Sequence, residues 1–224
     1  MPGVYERALG EAAEDLHPKV RERYGIGPDD PVACVGRGRM DITRGTLALP
    51  ALFAMTTQDL LFPEAGRDVP FTVTTVGYRN DGGYEVLTTR REFDFGDTQR
   101  RFDSLTLWDP DAGRLLDFLG RNGPIASELR PRVEDGALVV GGGRQWLRVG
   151  GRYVALPGPL AASVEVRDRY DEADEQFHVT AVVENALAGH ILSYRGTFTQ
   201  AFEEMTDVPA DLRPSPGLST LPPR

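Results

Sequence analysis

The chain has 224 residues, 40% of them apolar and 26% charged, a profile that excludes a disordered or collagen-like chain. A formal charge of -9 argues against a general nucleic-acid binder, which needs a basic face to displace counterions. Cys34 is the one cysteine, so an intramolecular disulfide and a thiolate-based zinc site are both excluded.

The first residues, Met1 to Glu6, have no basic segment followed by an apolar one, so no signal peptide is expected. With a single thiol, this points to a reducing cytoplasm. The apolar run from Leu47 to Met55 is too short to cross a bilayer, and no membrane span is expected. Lys19 is the one lysine among 25 cationic residues, so the rest are arginine. A GC-rich genome explains that bias; planar anion clamps are its functional reading.

In chain order, Leu9, Ala12, Leu16 and Val20 predict a helix over Val4 to Tyr24, bent or divided at Pro18. Val32 to Thr43 reads as a strand, and Leu47 to Leu61 as a second helix. From Val69 the apolar period becomes two. Strands are predicted over Pro70 to Arg79, Tyr84 to Phe95, Arg100 to Trp108, Arg114 to Leu119 and Ala126 to Glu134. Further strands fit Ala137 to Val140, Arg144 to Val149, Arg152 to Leu156, Ala162 to Tyr170, Gln176 to Glu184 and His190 to Phe198. Turn signals such as Asn80-Asp81-Gly82-Gly83, Asp135-Gly136 and Gly150-Gly151 separate them.

Successive hairpins imply an antiparallel sheet, and eight to ten strands should curl or close. The expected fold is mainly β (α+β), a strongly curved antiparallel sheet or closed β-barrel with N-terminal helices packed on it or plugging it. Residues 1–206 form one β-rich domain. Residues 207–224 hold Pro209, Pro214, Pro216, Pro222 and Pro223 and are expected to be a disordered tail.

Several segments in order resemble a family. They are Val4 to Gly10, Gly38 to Gly45, Pro63 to Pro70, Arg91-Glu92-Phe93, Phe177-His178-Val179 and Tyr194-Arg195-Gly196. Together they resemble the bacterial domain-of-unknown-function family 4166, which also occurs fused to reductases of the saccharopine-dehydrogenase type. The resemblance implies a tryptophan at Thr89, a glutamate near Asp117, a proline near Ala162 and a tryptophan near Thr197. This chain departs at all four, which implies a differently shaped pocket. The family carries no established catalytic residues.

Leu87, Thr89, Arg91, Phe93 and Phe95 share one strand face. An arginine in that company needs an acid or an anionic ligand if it points inward. Asp117, Glu165 and Asp103 are candidate acids. His178, His190, Tyr194 and Asp117 are candidate acid/base groups. Trp108, Trp146 and Arg195 join Arg91 and Glu165 as candidate ligand contacts. No metal-ligand spacing is present among His17, His178 and His190. GxGxxG, P-loop and GxSxG motifs are absent too, so no cofactor is expected.

The expected function is binding of a small hydrophobic, amphipathic or anionic molecule inside a barrel-like cavity. The alternative is a cofactor-free cyclase or isomerase acting on a small hydrophobic metabolite, in specialised metabolism. A filled interior would instead mark a protein-interaction domain. A cavity above ~300 Å³ with convergent polar groups would favour the first two.

Overall fold

The computed structural model describes residues 2–215 and 218–224. It is a closed antiparallel barrel. The strands are β1 (Val32–Arg44), β2 (Gly66–Arg79), β3 (Glu85–Asp94), β4 (Gln99–Asp109), β5 (Arg114–Leu119), β6 (Ile125–Glu134), β7 (Ala137–Val149), β8 (Arg152–Ala155), β9 (Ala162–Asp171), β10 (Gln176–Asn185) and β11 (Gly189–Glu204). Each hairpin neighbour pairs with the next from β1 to β7. The ring then passes from β7 to β9, β10, β11 and back to β1. β8 folds outside this ten-stranded ring as a hairpin on β7.

The turn chemistry works as expected. Asp135 and Gly136 have φ of 51° and 76°, and Gly150 and Gly151 have 56° and 80°, as two-residue hairpins require. The two segments predicted around Gly141-Gly142-Gly143 are instead one continuous strand. Its pairing with β6 slips between Ser127↔Gln145 and Leu129↔Gly142, so β7 carries one extra residue there. Glycine tolerates that bulge, and it turns the barrel wall. The first part of β7 pairs with β9 and the last part with β8.

The predicted N-terminal helix is divided in three. α1 (Val4–Leu9) ends at Gly10, whose φ is 59°. A 3-10 turn covers Gly10–Asp15, and α2 (Pro18–Tyr24) begins with Pro18 at its first position. The His17 ring nitrogen caps α2 by accepting from the Lys19 backbone at 3.2 Å. The change of phase buries Ala13 where a straight helix would bury Ala12. The second helix is shorter than predicted: α3 (Leu49–Met55), followed by a 3-10 turn at Thr56–Gln58.

α1 and α2 close one end of the barrel. The His17 backbone N–H donates to Gly136 O at 2.9 Å, and its ring contacts Glu172 at 3.0 Å; Gly136 and Glu172 belong to hairpin turns of that end. α3 follows β1 and covers the other end. The inner core gathers Phe62, Phe71, Phe93, Phe177 and Phe198, all almost fully buried.

A second apolar cluster lies on the outer face of β2 to β7: Val76, Tyr78, Leu105, Leu107, Phe118 and Trp146. This explains why Asp103 to Leu107 of β4 and Leu115 to Phe118 of β5 are buried without a break, since both faces are covered. The cover is the C-terminal segment, and here the expectation of disorder is corrected for the described residues. Proline keeps that segment out of the sheet, but Leu212 and Leu218 are buried against the cluster. Asn80 Nδ2 donates to Leu218 O at 3.0 Å, Asn122 N to Pro214 O at 2.8 Å, and Arg114 Nη2 to Pro222 O at 2.6 Å. Pro216, named among the tail prolines, lies outside the described residues together with Met1 and Gly217.

Candidate functional site

Inside the ring lies a hollow of about 150 Å³. That is half the lower bound of ~300 Å³ for drug-sized pockets, and close to a hollow that accepts benzene in another protein.

The wall has two sides. Along β3 to β7 runs a row of polar side chains in register: Thr89 opposite Ser104, then Thr106, Asp117, Ser127 and Gln145 each opposite the next. Across the hollow, β9, β10 and β11 present Val164, Val166, Ala181, Val183, Ile191 and Leu192. The hollow is therefore amphipathic. Tyr5 from α1, Tyr24 from α2 and Met55 from α3 complete its lining.

Arg91 enters this space from β3. Its guanidinium lies over the Phe102 ring at 4.8 Å, and Nη1 donates to Ser104 Oγ at 3.4 Å. No carboxylate is within ion-pairing distance of Arg91 among the described residues. Asp103, one acid proposed for it, is on the other face of β4, against Arg90 and Arg101. Glu165 is also outside, paired with Arg132 at 3.2 Å. Asp117 does line the hollow. Its Oδ1 accepts from Thr106 Oγ1 at 2.8 Å. Burial pushes its carboxyl above the ordinary value, opposed by the Thr106 hydrogen bond and the Arg91 charge. Burial likewise raises Tyr5, with the Asp117 charge adding to it, and raises Tyr194, with Arg91 acting against it.

Behind Tyr24 lies a buried ion pair. Arg23 Nε is 3.6 Å from Asp168 Oδ2, with side chains only 4% and 3% exposed. Tyr24 Oη donates to the same Asp168 oxygen at 2.8 Å. Burial is the largest influence on Asp168 and raises its carboxyl, with Arg23 opposing. Arg23 also stacks over the Phe198 ring at 4.9 Å, so it pins the plugging helix to the barrel.

Of the predicted residues, Arg91, Asp117 and Tyr194 meet in the hollow; the others do not. Trp146 packs in the outer cluster, because the extra residue in β7 reverses the alternation: Val140 and Gln145 face inward, so Trp146 faces out. Trp108 is on the inner side but packs against the core without lining the hollow. Arg195 and His178 face an open outer groove with Arg39 and Arg169. His190 bonds Thr43 Oγ1 at 3.2 Å, since an irregularity beside Glu184 turns it outward. The two histidines are not near neighbours. His190 aligns with Glu184, six residues along β10 from His178, or roughly 20 Å.

His178 does approach Asp171 and Asp174 at the β9–β10 turn. Asp174 already bonds His178 at 2.8 Å and Asp171 bonds Arg169 at 2.7 Å, so both acids are engaged.

The residues missed by sequence reasoning are Tyr5, Tyr24, Thr89 as lining, Ser104, Ser127 and Gln145. A polar residue at an inward position of an otherwise apolar strand was the available signal; the register aligning five strands was not. Gln145 has a structural task as well. Its amide donates to Ala162 O at 2.9 Å and accepts from Ala162 N at 2.8 Å, closing the wall where β7 leaves β9.

The fold and this interior define a closed ten-stranded β-barrel with a small amphipathic hollow, plugged by helices at one end and covered at the other. The chain belongs to the family described as Domain of unknown function (DUF4166), which matches residues 16–198. It is 30% identical over 207 residues to the uncharacterized protein YndH of Bacillus subtilis, covering 91% of this chain and all of that protein. A crystal structure described as a "putative thioesterase II" from Thermobifida fusca YX shares 9% identity with a TM-score of 0.23, over 78% of this chain and 80% of that one. A likeness that weak carries no argument. No helix among the described residues is long and apolar enough to cross a membrane.

Proposed function

We propose that the barrel is a cytoplasmic, cofactor-free binding module for a small amphipathic anion with a body about the size of a benzene ring. The observation that carries this reading is Arg91: an inward cation with a hydroxyl for a partner and no paired acid. A ligand carboxylate would take the guanidinium, its body would lie on the wall of β9 to β11, and water would be excluded. The resemblance to domains fused to reductases fits a metabolite as the guest.

Benzoate is a suitable probe. Replacing Arg91 by methionine is expected to weaken benzoate binding by ~10-fold or more, the loss of one charge-assisted hydrogen bond, while thermal unfolding changes little. Calorimetric titration reads this directly, and native mass spectrometry of freshly purified protein reads the natural guest. Equal benzoate affinity in R91M removes Arg91 from the site.

The pH dependence follows from Asp117. Its carboxyl is raised by burial, so it is neutral on the acid side of that raised value and leaves Arg91 free for an anion. As pH rises through that value, the new charge repels the guest and offsets part of the Arg91 charge. Benzoate affinity is expected to fall in that window, and Asp117→Asn should flatten the profile. A wild-type profile that stays flat there contradicts this arrangement.

The enzymatic alternative keeps Asp117 and Tyr194, because both line the hollow and a raised carboxyl is suited to proton transfer. In that case D117N would retain the guest but no longer convert it.

A further inference from the structure

We propose that the guest of the hollow is an α-hydroxy acid, its carboxylate on Arg91 and its neighbouring hydroxyl on Asp117. This rests on the anion-binding reading above and names the class of anion. Most of the polar row is engaged within the wall. Thr106 Oγ1 donates to Asp117 Oδ1 at 2.8 Å, Ser127 Oγ donates to Glu128 O at 3.3 Å, and the Gln145 amide is held by Ala162. The charged side chains that line the hollow are Arg91 on β3 and Asp117 on β5, with Ser104 on the strand between them. Ser104 Oγ accepts from Arg91 Nη1 at 3.4 Å. Its hydroxyl acts on Asp117 too: burial raises that carboxyl, and Thr106, the Arg91 charge and Ser104 oppose the rise. Arg91 and Asp117 are therefore too far apart to pair but stand about two hydrogen bonds from each other.

That gap selects the guest. A carboxylate on the Arg91 fork would have Asp117 beside it, and Asp117 can still accept a bond. A carboxyl group offers about four lone-pair sites, and Thr106 and Ser104 use two at most. A hydroxyl on the carbon next to the guest carboxylate reaches this acceptor. A hydroxyl at the far end of the guest would instead meet Val164, Val166, Val183 and Ile191, whose side chains accept nothing. An amine on the same carbon fits less well. It brings three donors and a full charge into a space where burial already drives the one carboxyl toward its neutral form. A hollow of about 150 Å³ suits a short branched body on the apolar wall. Cation, carboxyl and wall fix the guest at three points, so the grip is one-handed.

Calorimetric titration of the whole protein with isovalerate, the two enantiomers of α-hydroxyisovalerate, valine and benzoate tests this. One hydroxy enantiomer is expected to bind ~10-fold tighter than isovalerate and ~10-fold tighter than its mirror image, the gain of one hydrogen bond to a carboxyl group. In Asp117→Leu the hydroxy and plain acids should bind alike, and in Arg91→Met both should weaken together. Should D117L not fold, the wild-type comparison decides alone. Equal wild-type affinity for isovalerate and both enantiomers overturns the α-hydroxy acid and leaves the anion reading standing. Tighter binding of valine than of either enantiomer assigns the site to an amino acid and also overturns it. If none of the acids binds, benzoate included, both readings fall.

Discussion

Asp168→Ala is expected to destabilise the protein by about 3–5 kcal/mol, because it strands the Arg23 cation in the core and leaves the Tyr24 hydroxyl without its acceptor. For a chain of this size that lowers the melting temperature by about 6–20 °C. The pair is imperfect as it stands. Arg23 Nε and Asp168 Oδ1 lack hydrogen-bond partners among the described residues. Removing both charges together, as Arg23→Met with Asp168→Leu, should therefore recover much of the loss. Thermal or urea unfolding of the two variants beside the wild type measures it. If D168A alone is as stable as the wild type, the ion pair does not anchor α2.

The second large effect is steric. At Gly38 an added methyl would lie 1.9 Å from Thr197 O and 2.6 Å from Phe198 Cα, both backbone atoms of β11. At Gly196 the corresponding contact is 1.9 Å to Arg39 O. Where a side chain is crowded it can rotate; here two paired strands would have to separate. Gly38→Ala should cost the upper end of the about 1–3 kcal/mol seen for overpacked cores. Gly141→Ala is the control. Its nearest neighbour would be 3.8 Å away, its φ is not positive, and a change of less than about 1 kcal/mol is expected. Chemical denaturation of the two variants side by side distinguishes backbone crowding from a general sensitivity of strands to losing glycine.

Those glycines show where sequence reasoning stops. Turn residues and the period of two locate the strands to within a residue or so at Arg114–Leu119 and Gln176–Asn185, because a hairpin is written locally. Alternation also puts Arg91 and Tyr194 inside. Alternation fails wherever a bulge intervenes. One extra residue between Gly142 and Gln145 exchanges the fates of Gln145 and Trp146, and the irregularity beside Glu184 does the same to His190. Nothing local announces either. The docked C-terminal segment was illegible for a related reason: its prolines exclude regular structure but do not prevent Leu212 and Leu218 from burying. The polar row of Thr106, Asp117, Ser127 and Gln145 depends on the register of four strands, which is decided by packing across the barrel.

The covering of β2 to β7 by the C-terminal segment divides the barrel mechanically. That half is sandwiched between two apolar layers, so its polar row is held in fixed geometry. The half formed by β9 to β11 has one layer and faces outward with Thr180, Arg195 and Thr199. On the proposed reading, guests of different girth would be accommodated by yielding of the thin half, while the thick half would keep the same grip on their charged ends. Such a vessel would discriminate by headgroup and be lenient about the remainder of the molecule.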